Sequence, residues 1–116
     1  MTSLKSVGII ITVALCGCNN NNKELNDFDM VCRYFYELEK LVESEQLTSD
    51  QRNDFIMSRL DENLPASPAR TSWEAVSYAI PEDRYEIYKT GAESALGVDW
   101  SCRPMEKLAP LTGVEL

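Results

Sequence analysis

The chain is 116 residues long, carries a formal charge of −8 from 19 acidic and 11 basic residues, and contains no histidine. That length holds one core of ordinary size, because a second would leave each half too little apolar surface to bury, and the negative field repels phosphate backbones, which excludes nucleic acid as a partner. Without histidine the usual base near pH 7 and the commonest metal ligand are missing, so Ser-His, Cys-His and zinc-hydrolase chemistry are excluded and no metal or other cofactor is expected.

In chain order, a short lead ending in Lys5 precedes an apolar run from Val7 to Leu15. This is the length of a signal-peptide core and well short of the roughly twenty apolar residues that cross a bilayer. Four asparagines, Asn19 to Asn22, then Lys23 and Glu24 end it abruptly. Other readings of the run are an ordinary secretory signal or a buried apolar helix.

Between the run and the asparagines stand Leu15, Cys16, Gly17 and Cys18. The order of aliphatic residue, tolerant position, small residue and cysteine resembles the lipobox of bacterial lipoproteins, and the resemblance covers about the first twenty residues. It implies that Cys18 carries a thioether-linked diacylglycerol and that cleavage falls just before it. Gly17 fits a peptidase pocket beside the scissile bond, whereas Leu15 before Cys16 does not, so Cys16 belongs to the discarded peptide. With Asn rather than Asp at position 19, the resemblance implies the inner leaflet of the outer membrane, facing the periplasm. Several acyl chains on one cysteine hold a protein on its membrane far more firmly than one chain does. The expected organisation is therefore a signal peptide at 1–17, a lipidated polar tether at 18–26, a helical domain at 27–110 and a frayed end at 111–116. Export also gives the remaining cysteines a role: Cys32 and Cys102 are an even pair in a compartment that oxidises thiols, and a disulfide between them is expected. The alternative, a redox or metal-binding thiol pair, has neither a CxxC spacing nor a histidine behind it.

Helical periodicity dominates the rest. From Asp27 to Glu45, the residues Phe28, Val31, Cys32, Phe35, Leu38, Leu41 and Val42 recur at steps of three and four, which lays one apolar stripe on a first helix. Thr48, Ser49 and Asp50 offer caps for a second helix whose stripe runs through Phe55, Ile56, Arg59, Leu60 and Leu64, until Pro65 and Pro68 interrupt it. Thr71 and Glu74 have the spacing of a capping box for a third helix, with Trp73, Val76 and Ile80 on its inner face. Pro81 starts a fourth, with Glu82 and Asp83 in its first turn, a stripe of Tyr85, Tyr88, Ala92, Ala95 and Leu96, and Gly97 as its stop. Asp99 to Leu108 reads as a short helix or an ordered loop pinned to the first helix. No run alternates with period two, so the fold expected is an all-α bundle of about four helices.

Chemistry is sparse. Glu82, Asp83 and Glu86 lie close enough to shift one another's ionisation, but a first helical turn has this composition anyway. Ser72 and Ser101 have no histidine to activate them, and pairing with Lys89 or Lys107 follows no known motif. Tyrosine, tryptophan and arginine carry many protein interfaces, and Tyr36, Arg84, Tyr85, Tyr88 and Trp100 are the candidate interface residues. Two functions compete. One is a membrane-tethered interaction module, an accessory subunit of an envelope machine or an inhibitor or immunity protein, whose acidity favours a basic face on its envelope partner. The other is a small tethered enzyme that attacks cell-wall or glycan material through carboxylates. A convex bundle favours the first; a cleft with two facing acids about 5 to 9 Å apart favours the second.

Overall fold

A computed structural model describes residues 26–115. The signal peptide at 1–17, Cys18 and the tether as far as residue 25 lie outside the described residues, as does Leu116. The architecture is all-α: α1 spans Asp27–Val42, α2 Ser49–Asn63, α3 Pro68–Val76, α4 Arg84–Leu96 and α5 Arg103–Leu108, with short 3₁₀ turns at Pro81–Asp83 and Ala109–Leu111. No strand occurs among the described residues.

The first three helices each start where a side chain accepts from a free amide, whereas α4 and α5 start without a side-chain cap. Asn26, the last residue of the expected tether, caps α1 by accepting from the Asp29 amide at 2.8 Å. Asp27 and Asp29 in the first turn and Lys40 in the last suit the helix dipole. The helix stops at Val42 rather than Glu45. The segment Glu43–Gln46 is polar and exposed, with no apolar side chain to hold it to the core. Thr48 then opens α2 with a reciprocal capping box: its hydroxyl accepts from the Gln51 amide at 3.1 Å, and the Gln51 side chain accepts from the Thr48 amide at 2.8 Å.

The third helix departs from expectation. It begins at Pro68, capped by Ser67, whose hydroxyl accepts from the Ala69 amide at 3.0 Å. Proline at the first helical position needs no amide partner, so Ser67-Pro68 outcompetes the Thr71 and Glu74 pair. The Thr71 hydroxyl instead donates back to the Ser67 carbonyl at 3.3 Å, and Glu74 pairs with Arg70 at 2.9 Å. Because α3 ends at Val76, Ile80 falls beyond the helix and is 62 % exposed rather than on its inner face. Pro81 does begin the following helical segment, and Gly97 closes α4 in the left-handed conformation, φ 75°. On α4, Tyr85, Tyr88 and Ala92 face inward, Leu96 is half-buried and Ala95 is exposed.

The core is aromatic at its centre. Trp73 is fully buried with Phe35 and Tyr88 in edge contacts, at ring-centroid separations of 4.9 and 6.0 Å. Its indole donates to Asn53 at 2.8 Å, and the Tyr88 hydroxyl donates to the Ala69 carbonyl at 3.0 Å, so both polar tips are satisfied inside. Leu38, Ile56, Leu60 and Met105 fill the space around them. α1 lies against α2 and α5, and α3 packs on α4. Cys32 and Cys102 form a disulfide, with Cα atoms 5.7 Å apart, which ties the start of α5 to α1.

The end of the chain is ordered as far as it is described, contrary to the fraying expected after Pro110. Thr112 and Gly113 are buried. The Val114 amide donates to the Ser77 carbonyl at 2.9 Å, the Ser49 hydroxyl to the Gly113 carbonyl at 2.9 Å, and the Glu115 amide to Asp50 at 3.1 Å. Backbone bonds to two separate elements hold a segment too short to carry a stripe of its own.

Candidate functional site

Four of the five candidate interface residues are inside the domain. Arg84 is 4 % exposed, Tyr85 7 %, Tyr88 1 % and Trp100 6 %, so they are corrected to framework residues. Each has a structural task. The Tyr85 hydroxyl accepts from the Cys102 amide at 3.0 Å, and the Trp100 indole donates to Asp29 at 3.0 Å. Burial pushes the Tyr88 phenol far above its usual range. In a domain this small, large aromatics are the main source of core volume, which is why composition misplaced them. Tyr36 alone stands out from the surface, about half exposed, with the Lys40 ammonium 5.4 Å from its ring centre.

Of the weak catalytic candidates, Ser101 and Lys89 line one shallow, open pocket with Glu93, Asp99 and Trp100. Glu82, Asp83 and Glu86 lie exposed around the start of α4. Lys89 is held by Glu93 at 2.9 Å and Lys107 by Glu39 at 3.1 Å, which commits both ammonium groups to ion pairs.

The surface feature that stands out was not singled out by sequence. Tyr78, Ile80 and Leu111, exposed by 57, 62 and 51 %, border one groove of about 710 Å³, open to solvent, between the N-terminus of α2, the loop joining α3 to α4, and the C-terminal segment. Local structure explains it. α3 ends at Val76 with Ser77 as its cap, Pro81 starts the next helical turn, and the three residues after Ser77 are a loop beside which the tail crosses. Tyr78 and Ile80 therefore point outward. The signal was present in part: an apolar residue immediately before a helix-starting proline belongs to a junction, not to a helix face.

Two arginines line the same groove. Arg84 donates from Nε to the Ala79 carbonyl at 3.1 Å and from Nη1 to the carbonyls of Ala109 and Thr112 at 3.2 and 3.0 Å. Gly113 lies flat on the guanidinium; a Cβ there would run into Arg84 Cζ and Nη1 and into the Ser77 carbonyl, so a side chain at 113 would displace either the arginine or the tail. Burial lowers the Arg84 pKa below the usual guanidinium range, with no carboxylate acting against that shift. Arg52 donates from Nη1 to the Leu111 carbonyl at 2.8 Å, while its buried Nε has no partner among the described residues.

Among the described residues no group of three histidine, cysteine, aspartate or glutamate side chains converges in a way that would hold a metal ion, and no helix is long and apolar enough to cross a membrane. Compared with protein-family models, curated proteins and solved structures, the chain matches none.

Proposed function

We propose that the protein is a lipid-anchored bacterial lipoprotein, held by Cys18 at the inner leaflet of the outer membrane, whose helical domain binds another envelope protein as an accessory subunit or as an inhibitor or immunity protein. The observation that carries this reading is the clustering of Tyr78, Ile80 and Leu111 around one open groove, on a chain with 19 acidic and 11 basic residues. Single exposed apolar residues are ordinary; several bordering one concavity are the usual mark of an interaction site. Tethering confines the search for a partner to a thin layer beside the membrane and raises the effective concentration there. The wider acidic surface suits a partner with a basic face, which speeds encounter without needing tight contacts.

The test is photocrosslinking in cells of the processed protein, with the crosslinker at Ile80 in one version and at Val98, an exposed apolar residue that does not line the groove, in another. Intact mass is read on the same samples. One protein captured through Ile80 and not through Val98, beside an acylated Cys18, is the expected result. Unmodified Cys18 sinks the anchor, and equal or absent capture at the two positions sinks the groove as the contact surface.

A further inference from the structure

The groove's electrostatics narrow down what it binds. Arg84 is 4 % exposed, yet no carboxylate pairs with it among the described residues. Three carbonyls accept from its Nε and Nη1, with no bond from Nη2 among the described residues, and they leave its charge uncompensated; a buried cation without a counter-charge is costly. Beside it, Arg52 has a buried Nε with no acceptor among the described residues. Both arginines line the groove bordered by Tyr78, Ile80 and Leu111. The chain has 19 acidic residues to draw on, and the one carboxylate residue at the groove, Glu115, forms no ion pair with either arginine among the described residues. An acidic molecule thus keeps, among its described residues, an apolar-rimmed concavity whose two cations have no carboxylate partner.

A ligand that complements this place brings a carboxylate and an apolar body together. Guanidinium groups recognise carboxylates through directed, charge-assisted hydrogen bonds, and they do so best where water is excluded. The groove is open to solvent rather than enclosed, which suits a chain end that continues outward; a free fatty acid gains most from a cavity that buries nearly all of it. We propose that the groove binds the C-terminus of a partner protein, with its terminal carboxylate at Arg52 and Arg84 and its last apolar side chains against Tyr78, Ile80 and Leu111. This rests on reading the protein as a binding module, and it states the chemistry that the partner must present.

The experiment titrates the mature lipidated chain in detergent micelles, with empty micelles as the blank, using three probes. These are an acetylated tetrapeptide ending in two leucines with a free carboxylate, the same peptide as its C-terminal amide, and decanoate. The acid is expected to bind at least roughly tenfold more tightly than the amide, a factor typical of losing one hydrogen-bonded charge pair. Arg52→Met removes that advantage and leaves the amide unchanged, and Arg52→Lys restores part of it. Equal binding of acid and amide, or no binding of either, overturns the proposal; decanoate binding in preference to the peptide acid overturns its assignment to a protein chain end. Failure here with a partner still captured through Ile80 leaves the binding-module reading intact, whereas peptide binding without any captured partner does the reverse.

Discussion

Glu39 sits where α1 meets α5, only 11 % of its side chain exposed, and accepts hydrogen bonds from both Arg103 and Lys107 at 2.9 to 3.2 Å. Hydrogen bonding to Arg103 and then to Lys107 lowers its pKa from 4.5 to about 2. A folded-state pKa below the unfolded value means that the carboxylate's contribution is fully present above about pH 4.5 and is lost as pH falls through about 2. The two cations are more than 60 % exposed, so solvent screens the pair and its contribution is modest. Urea titrations between pH 6 and pH 2 are therefore expected to show stability falling across that window, with Glu39→Gln less stable at pH 6 and flatter below it. Glu93, lowered first by the Trp100 amide and then by Lys89, supplies part of the slope that remains in the variant. An unchanged slope in Glu39→Gln would mean that this carboxylate is not held in the folded state.

At the scale of elements, the start of α3 separates two accounts of the same residues. If Ser67 is the cap, Ser67→Ala costs about 1 kcal/mol, because the buried Ala69 amide loses its acceptor. Thr71, one turn inside the helix, donates back to the Ser67 carbonyl, and Thr71→Ala is expected to change stability by less than about 0.5 kcal/mol. A capping box at Thr71 would reverse the order, and thermal or urea unfolding of the two variants distinguishes them. The comparison also shows what local sequence could reveal. Apolar spacing marks the stripe of α1, the caps offered at Thr48, Ser49 and Asp50 mark the start of α2, and Pro81 and Gly97 mark the two ends of the α4 segment, because each of those signals acts within one or two turns. At the start of α3 a serine-proline pair and a capping-box spacing lie within one turn of each other, and local spacing does not rank them; the helix starts at Pro68 behind Ser67. Arg84 and the tail were illegible for another reason: the carbonyls that Arg84 bonds at Ala109 and Thr112 are brought to it by tertiary packing, from 25 and 28 residues away. The groove between Ile80 and Leu111 exists only after that packing, so no periodicity along the chain announces it.

Across the whole molecule, the seam between α1 and the C-terminal third of the chain is closed at three heights. The Trp100 indole reaches Asp29, the disulfide joins Cys102 to Cys32, and Arg103 with Lys107 reaches Glu39. The non-covalent links bridge the same seam as the disulfide, so the folded geometry is expected to survive removal of the bond. What the bond changes is the unfolded chain. Cys32 and Cys102 are 70 residues apart, and closing a loop of that length removes conformational entropy worth about 4 kcal/mol in the chain-entropy account. For a domain of this size, 1 kcal/mol corresponds to roughly 4 to 8 °C in melting temperature, so the double variant Cys32→Ser, Cys102→Ser is expected to melt on the order of 20 °C lower. Its helical circular dichroism at low temperature should be kept, because the Glu39 and Asp29 contacts remain. Unchanged melting would show that the unfolded chain already keeps these ends together. Loss of the fold at every temperature would show instead that the seam cannot close without the bond. A fall in melting temperature with the fold retained would assign the bond to stability and leave the groove, on surfaces the disulfide does not touch, intact for binding.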